Sequence, residues 1–305
     1  MHAAAAAGEG QGKRALITGA RGFTGRYLAR ELSAAGYQVF GTVLRGDPRG
    51  PGTFNVDLCE RAAVDALVAE VRPDVVAHLA AIAFVAHADA GQIYHVNIVG
   101  ARNLLEALAR QPRPPSWVLL ASSANVYGNA GAGPVDESVV PAPANDYAVS
   151  KLAMEHMAQL WSDQLPISIL RPFNHTGVGQ DKRYLLPKIV AHFRCGERAI
   201  ELGNLAIERD FSDVRMVANC YRRLLAASPT GQVVNICSGQ AHSLAQVLAI
   251  MASIAGYQIE VRADPALVRS HDALRLVGSN ARLGRLIGAL DQVPLAATLR
   301  WMYEA

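Results

Sequence analysis

Cysteine is scarce in this chain of 305 residues, and the four that occur stand far apart. Because they form no CxxC pair, the sequence indicates neither a disulfide framework nor a zinc site, and we expect no bound metal. Isolated cysteines of this kind fit a reducing compartment, so the predicted location is the cytoplasm. The four are Cys59, Cys195, Cys220 and Cys237.

Long apolar runs and concentrated charge are absent as well. No stretch of about eighteen apolar residues occurs, which argues against an ordinary transmembrane helix and a membrane partner. The net charge is +3 and the charged fraction is 18%, so we expect no nucleic-acid partner, which would need a concentrated basic surface. The opening MHAAAAAGEGQGK has no basic start before a long apolar stretch. It therefore predicts a frayed tail over residues 1–12 rather than a secretory signal.

Apolar residues themselves are plentiful, at 51% of the chain, which is enough for a large core. From Lys13 onward, short apolar runs alternate with longer amphipathic ones, as is typical of strands and helices that build a parallel sheet. The predicted fold class is therefore α/β. Predicted strands cover residues 15–18, 38–43, 74–79, 117–122 and 167–170, and predicted helices cover about 23–35, 61–71, 92–110 and 147–164.

Three glycines directly follow the first predicted strand and open a helix, in the spacing GxxGxxG. Such a turn lets backbone amides and the helix N-terminus face a pyrophosphate, so it predicts a Rossmann fold, a doubly wound parallel sheet that binds NAD(P). The alternative is a tight turn without a ligand. The cofactor residues predicted in this segment are Gly19, Arg21, Gly22, Phe23, Thr24 and Gly25.

The second strand leads into Arg45 without the acidic residue that would bind an adenosine ribose diol. Since Arg45 could instead pair with a 2′-phosphate, NADP(H) is favoured, with NAD(H) as the alternative. Asp57 and Leu58 stand where an adenine amino group could be held. A helix-capping role is an equally good interpretation of Asp57.

The alternation of elements loosens after residue 172, which divides the chain into two predicted parts. Residues 13–172 are the predicted NAD(P)-binding domain, and residues 173–305 are mainly a smaller C-terminal substrate-binding lobe. A buried-strand pattern returns at 233–239. We therefore expect about 206–240 to rejoin the first domain.

Lysine is also rare, which singles out the pair Tyr147 and Lys151. Four residues apart, the two side chains lie on one face of a helix. A nearby ammonium group is expected to lower the pKa of the phenol, so that Tyr147 can exchange a proton with a substrate hydroxyl or carbonyl. The alternative is an ordinary surface pair. Ser123 follows the preceding strand, where its hydroxyl would face the same cleft.

Five motifs occur together in this order: the glycine turn, HLAA (78–81), Asn97 in VNIVG, SSANVYG (122–128) and YAVSK (147–151). In order and spacing they resemble the extended short-chain dehydrogenases, the family of nucleotide-sugar epimerases and dehydratases. The resemblance implies that Ser123 hydrogen-bonds the reacting sugar oxygen, that Tyr147 is the acid/base, and that Lys151 orients the nicotinamide ribose. It also implies further cofactor contacts at Leu79, Ala80, Ala81 and Asn97. His78 is expected to pack at a strand end.

The second half extends this resemblance. Residues 171–180 look like the RPFNHxGPGQ stretch of enzymes that reduce GDP-4-keto-6-deoxyhexoses, with Val178 in place of proline. A GDP-sugar substrate is therefore implied, whose phosphates need cationic partners. The substrate residues predicted are Ser123, Asn125, Asn174, Lys188, Arg209 and Arg269. Each cation taken alone is more often a surface charge, and His175 could equally be a buried support.

Reaction type is narrowed by the residues after Ser123. Dehydratases of the family carry carboxylates there, whereas Ala124 and Asn125 cannot relay a proton. The reaction type that remains is hydride transfer at C4 of the sugar. The enzyme is then either a reductase, which consumes NAD(P)H, or a 4-epimerase, which recycles its cofactor. A non-catalytic dinucleotide sensor on the same fold is a third hypothesis. The family resemblance also implies a homodimer, formed through the helices near 92–110 and 147–164.

Overall fold

A computed structural model of the protein describes residues 8–43, 46, 50–83, 89–131, 133–267 and 273–305. The strands in these ranges are β1 (Arg14–Thr18), β2 (Gln38–Val43), β3 (Thr53–Asn55), β4 (Val75–His78), β5 (Trp117–Ala121), β6 (Ile167–Pro172), β7 (Asn174–Thr176), β8 (Ala199–Leu202), β9 (Glu208–Asp213), β10 (Val233–Ile236), β11 (Ala241–Ser243), β12 (Glu260–Ala263) and β13 (Arg275–Leu276). The helices are α1 (Phe23–Ala34), α2 (Arg61–Val71), α3 (Ala90–Tyr94), α4 (Ala101–Ala109), α5 (Asp146–Ala158), α6 (Leu185–Arg194), α7 (Val214–Ala227), α8 (Leu244–Ala255), α9 (Ala281–Ile287) and α10 (Leu295–Glu304).

Seven parallel strands form the main sheet, in the order β10-β6-β5-β4-β1-β2-β3. Their apolar runs are buried because helices cover both faces. On β1, Ile17 packs toward α1 and α7, whereas Leu16 packs toward α2, α4 and α5, as the two-residue period of a strand requires. The predicted Rossmann fold is confirmed. The chain reverses direction across the sheet at β1, so a crevice opens at the carboxyl ends of β1 and β4.

Strand β10 lies at one edge of this sheet, beside β6, with Val233 paired to Ile169. Helix α7, which precedes β10 in the chain, packs against α1. The chain after residue 206 thus contributes strand β10 to the main sheet and helix α7 to the layer that covers it, as the apolar pattern near 233 indicates. The domain boundaries themselves stay predictions.

Most of the elements that follow β6 form a smaller lobe with its own core. Strands β7, β9, β11 and β13 make one small sheet, and β8 pairs with β12. Helices α6, α8 and α10 enclose side chains such as Phe193, Met251 and Leu299. Asp213, at the end of β9, accepts a hydrogen bond from Arg215 N at 2.8 Å and so begins α7. Among the described residues, no helix combines the length and apolar character that crossing a bilayer requires.

Residues 8–12 differ from the expected frayed tail. Gly10 N donates to Ala35 O at 2.9 Å, and Gly10 is buried beside the ring of Tyr37. Glu9 forms an ion pair with the buried guanidinium of Arg222 on α7, whose Nε lies 3.3 Å from Glu31 Oε2 on α1. This segment is held because a buried arginine between two helices needs carboxylate partners.

We expect Glu9→Gln to destabilise the fold by about 1–3 kcal/mol, because it removes the negative charge that compensates a buried guanidinium. Urea unfolding would measure the change. The matched control is Glu260→Gln, which breaks an ion pair to Arg262 whose two side chains are 63% and 59% exposed and should change stability little. Equal effects of the two substitutions would contradict the assigned role of Glu9.

Candidate active site

A cleft of about 500 Å³ opens at the carboxyl ends of the main strands, where the sheet reverses, and the smaller lobe closes its other side. The glycine turn, the ends of β4 and β5, and α5 supply one wall. Most of the predicted site residues line the cleft, either from this wall or from the smaller lobe. They are Gly19, Gly22, Phe23, Thr24, Gly25, Leu79, Ala81, Ser123, Asn125, Tyr147, Lys151, Asn174 and Arg209.

The glycine loop, residues 19–25, has a shape that side chains would prevent. Gly19 has φ +72°, and a Cβ there would lie 3.0 Å from the backbone of Ala80. A Cβ on Gly25 would lie 2.3 Å from Gly19 O. The loop therefore holds its backbone close against the start of α1. That is the cradle a dinucleotide pyrophosphate requires, so the residues present fit the predicted cofactor.

Hydrogen bonds from the strand ends fix this loop. Thr42 Oγ1 accepts from Gly19 N at 3.0 Å, and Thr18 Oγ1 accepts from Ala80 N at 3.2 Å. Thr18 Oγ1 also lies 2.8 Å from His78 Nδ1. Burial, and then the charge of Lys151, lower the pKa of His78 to about 3. His78 is a neutral packing residue beneath the loop, as its position at a strand end predicts.

Helix α5 presents Tyr147 and Lys151 to the end of β5. Asn145 begins the helix, since its side chain accepts from Ala148 N at 2.9 Å. Lys151 is only 2% exposed and its Nζ donates to Ala121 O at 2.7 Å. The side chain of Ser123 lies close enough to the phenol of Tyr147 to lower its pKa. Ser123, Tyr147 and Lys151, below called the Ser-Tyr-Lys trio, are thus buried together at the cleft and are not a surface pair.

The acidity of the trio differs from the sequence-based expectation. Burial raises the pKa of Tyr147 to about 12, although the neighbouring Ser123 side chain acts in the opposite direction. Burial also lowers the pKa of Lys151 to about 8, opposed by the charge of Glu155. The prediction that Lys151 makes the phenol more acidic is wrong for this structure. Desolvation of the buried phenol is the largest influence on its pKa, and Lys151, whose ammonium group donates to Ala121 O, is not among the groups that shift it.

Asn97 lies behind the cleft wall rather than in it. Its Nδ2 donates to Ser150 Oγ at 3.0 Å, and its Oδ1 accepts from Ile82 N at 2.9 Å. Asn97 therefore ties the segment after β4 to α5, between Tyr147 and Lys151. It sits in a π-helical turn, His95–Gly100, that separates α3 from α4. Such turns are frequent at functional sites.

His175 joins the smaller lobe to the glycine loop. Its Nδ1 lies 3.1 Å from Phe173 O, and because a carbonyl only accepts, this nitrogen carries the proton. Nε2 then accepts from Thr24 Oγ1 at 2.9 Å. The imidazole also stacks on Phe23, with ring centroids 5.9 Å apart. Burial lowers the pKa of His175, so the ring is a neutral support that also lines the cleft.

Two further bonds join α1 to the stretch after His175. Tyr27 Oη donates to Val178 O at 2.7 Å, and Arg26 Nη2 donates to Gly179 O at 2.9 Å. Val178, where the resembled pattern has proline, contributes its backbone carbonyl to this contact. Substrate-side and cofactor-side segments are therefore held in a fixed relation.

Other predicted residues lie away from the described cleft wall. Lys188 Nζ donates to Glu201 O at 2.7 Å. Asp57 Oδ1 accepts from Cys59 N at 2.9 Å, which forms a local turn before α2 rather than a helix cap, since Glu60 is the residue at which that helix begins. Buried Leu58 packs beside Gly100. Arg21, Asp57, Leu58, Ala80, Asn97 and Lys188 are not among the described residues that line the cleft.

The three predicted cationic residues of the second half differ in their placement. Arg209 lines the cleft, is buried, and its Nη1 donates to Glu208 O at 3.0 Å. Lys188 is placed on α6, as given above. Arg269, like Arg45 on the cofactor side, lies outside the described residues. Their roles in phosphate binding stay predictions.

Several lining residues escaped prediction. The segment between β8 and β9, the N-terminus of α6 and Tyr221 on α7 all reach the cleft from distant parts of the chain. Tyr184 is close enough to Tyr147 to raise its pKa. No sequence spacing signals such contacts, because the pairing of the lobe with the sheet creates them. These residues are Gln180, Tyr184, Leu185, Leu202, Gly203, Asn204, Ile207, Phe211, Tyr221 and Leu244, and the cleft is also lined by Ala83, Ala121 and Ser122, which stand close to predicted residues in the chain.

A Rossmann sheet whose glycine loop, serine and YxxxK pair meet in one cleft defines a nicotinamide-dependent enzyme of the extended short-chain dehydrogenase class. The sequence matches the NAD dependent epimerase/dehydratase family over residues 15–237, and the chain belongs to that family. The family is NAD(P)-dependent, so the cofactor is NADP(H) or NAD(H).

Two curated relatives match along almost the whole chain. A GDP-6-deoxy-D-talose 4-dehydrogenase of Aggregatibacter actinomycetemcomitans is 32% identical, over 90% of this chain and 90% of the relative. A GDP-6-deoxy-D-mannose reductase of Pseudomonas aeruginosa is 33% identical, over 94% and 95% respectively.

Solved structures superpose over a similar extent. A crystal structure from Burkholderia cenocepacia, 53% identical, has a TM-score of 0.91 and covers 96% of this chain and 98% of its own. RMD from Pseudomonas aeruginosa, complexed with NADPH, is 32% identical with a TM-score of 0.83, over 96% and 98%. This likeness extends from the main sheet through the smaller lobe.

The glycine loop should not tolerate a methyl group. We expect Gly25→Ala to weaken NADPH binding at least about tenfold, since the new Cβ meets backbone atoms of residues 19 and 20 that cannot move independently. Calorimetric titration with NADPH would measure the affinity. Gly284→Ala in α9 is the control, because a Cβ there meets nothing within 4 Å. An unchanged affinity in Gly25→Ala would contradict the cradle.

Proposed function

We propose that this protein reduces the C4 ketone of GDP-4-keto-6-deoxy-D-mannose with NAD(P)H, forming GDP-D-rhamnose. The observation that carries the proposal is the Ser-Tyr-Lys trio buried at a cleft bordered by the glycine loop. The names of two relatives, both acting on GDP-6-deoxy sugars, support the substrate class. The same names leave the product as either the rhamno or the talo sugar.

The proposed cofactor contacts follow the cleft. The glycine loop would hold the pyrophosphate, and Lys151 would orient the nicotinamide ribose. Arg45 would pair with the 2′-phosphate of NADPH, and this is why we propose NADPH over NADH. The reduced nicotinamide supplies the hydride when bound.

The proton in this reaction comes from Tyr147. With its pKa raised to about 12, the phenol is neutral at pH 7 and ready to donate. It protonates the oxygen that emerges at C4, while the Ser123 hydroxyl hydrogen-bonds the same oxygen. Lys151, as an ammonium group, would hold the nicotinamide ribose during this step, and solvent then returns a proton to the tyrosinate.

A dehydratase reaction is not supported, because Ala124 and Asn125 line the cleft beside Ser123 where an acid/base would be needed. A 4-epimerase uses the same trio but recycles its cofactor, so the two reactions differ in stoichiometry. The predicted homodimer and the cytoplasmic location belong to this proposal as well.

Mixing the protein with NADPH and GDP-4-keto-6-deoxymannose should consume one NADPH per sugar, measured as loss of absorbance at 340 nm. We expect Tyr147→Phe to slow this reaction by about 10²–10⁴-fold, since it removes the proton donor. Tyr303→Phe, on α10 and outside the described cleft wall, should react like the wild type. Product formation without absorbance loss would instead identify an epimerase.

The reaction should depend on pH in opposite ways in its two directions. Reduction needs the protonated phenol and the charged ammonium group, so kcat/KM should fall as pH rises through the Lys151 pKa of about 8. Oxidation of the product needs tyrosinate as the base and should become faster with rising pH. Initial rates in both directions from pH 6 to 10 would measure this. A flat reductive profile across that range would rule out the assignment.

A further inference from the structure

A buried carboxylate lies one helical turn beyond Lys151 and takes no part in the proposed chemistry. Glu155 is 6% exposed and is not among the described residues that line the cleft. We propose that Glu155 is a positioning residue for the Ser-Tyr-Lys trio, because it fixes the end of β5 against α5 and places a negative charge next to Lys151. This inference rests on the proposed function for its kinetic consequence, although not for its geometry.

Three successive turns of α5 meet three successive residues at the end of β5. Tyr147, Lys151 and Glu155 are spaced i, i+4 and i+8 and so share one helix face. Lys151 Nζ donates to Ala121 O at 2.7 Å. Ser122 Oγ donates to Glu155 Oε1. The next residue, Ser123, lies beside the phenol of Tyr147, close enough to lower its pKa. Glu155 thus holds the residue between the two strand positions that contact Lys151 and Tyr147.

Arg171 on β6 fixes Glu155 from the other side. Its Nε donates to Oε1 at 2.9 Å and its Nη2 donates to Oε2 at 2.5 Å, a bidentate pair with both side chains buried. The guanidinium also lies over the ring of Tyr127, 4.8 Å from its centroid. Burial alone would lower the pKa of Arg171, but the hydrogen bond and charge of Glu155 raise it above the usual value. The guanidinium is therefore charged where it pairs with the Glu155 carboxyl group.

Charge compensation for Lys151 comes from the same carboxylate. The titratable groups around Lys151 are His78 on β4, Tyr147 and Glu155 on α5, and Arg171 behind Glu155. His78 and Tyr147 are neutral at pH 7, since the pKa of His78 is lowered to about 3 and that of Tyr147 is raised to about 12. Glu155 supplies the charge that opposes the loss of the Lys151 proton on burial. Removing it should make the ammonium group more acidic.

The rarity of lysine gives a direct measurement that needs no substrate. With ¹³C at Cε, the chain carries four labelled side chains, at residues 13, 151, 182 and 188. The resonance that disappears in Lys151→Met belongs to Lys151. In Glu155→Gln we expect its titration midpoint to fall by about one pH unit relative to the wild type. In Arg171→Met, which breaks the same ion pair but keeps the carboxylate, the midpoint should stay or rise.

A Lys151 midpoint that falls in Glu155→Gln but not in Arg171→Met would distinguish a positioning role from simple structural support. If both midpoints fall together, or if Glu155→Gln leaves the midpoint unchanged, the electrostatic part of the proposal is wrong. Glu155→Asp, which retains the carboxylate, should restore the wild-type midpoint. The two proposals can fail separately. If the wild-type protein does not reduce the ketone but Glu155→Gln still lowers the Lys151 midpoint, the proposed function is overturned and the positioning role stands.

Ser122→Ala tests the strand contact without disturbing the ion pair, and it serves if Glu155→Gln does not fold. We expect kcat for ketone reduction to fall about tenfold to a hundredfold, because the end of β5 that carries Ser123 loses its link to α5. The Lys151 midpoint and the NADPH affinity should stay near wild-type values. An unchanged kcat would overturn the strand-fixing part of the proposal.

Discussion

All seven strands of the main sheet run in one direction, and this constraint determines where chemistry takes place. The chain must cross over between consecutive parallel strands, so every strand ends at the same edge of the sheet and is followed by a loop there. In the order β10-β6-β5-β4-β1-β2-β3, the chain first moves from β1 to β2 and β3 on one side. It then crosses to β4 and continues to β5, β6 and β10 on the other side. The loops after β1 and β4 therefore separate, and the glycine loop and the Ser-Tyr-Lys trio occupy the gap.

The smaller lobe completes this crevice because it is bonded to the sheet at the cofactor loop itself. His175 Nε2 accepts a hydrogen bond from the Thr24 hydroxyl, and the imidazole ring stacks on Phe23. Arg26 and Tyr27 on α1 hold the carbonyls that follow. A displacement of the glycine loop would therefore be transmitted to the substrate side through these hydrogen bonds and the stacked rings. The Thr24–His175 contact joins two neutral groups, so salt should affect it little.

Much of this architecture was predictable because its signals are local. Apolar runs bounded by polar or glycine residues placed β1, β2, β4, β5 and β6 within two residues of their observed ends, and spacing alone brought Tyr147 and Lys151 to one helix face. The predicted helix from 92 begins earlier, at Ala90, because Asp89 caps it. Burial is not a local property. The sign of the Tyr147 pKa shift, the Glu155–Arg171 pair and the lobe residues around Tyr184 all depend on contacts between distant segments, which spacing does not encode.

The position of β10 at the edge of the sheet has a consequence for biosynthesis. A nascent chain that has emerged only as far as residue 172 lacks both the strand that pairs with β6 and the helix that covers α1. Its β6 would present an open edge of hydrogen-bonding groups, and the face of α1 that packs on α7 would be uncovered. The main sheet therefore cannot be completed on the ribosome until about residue 236 has left the exit tunnel.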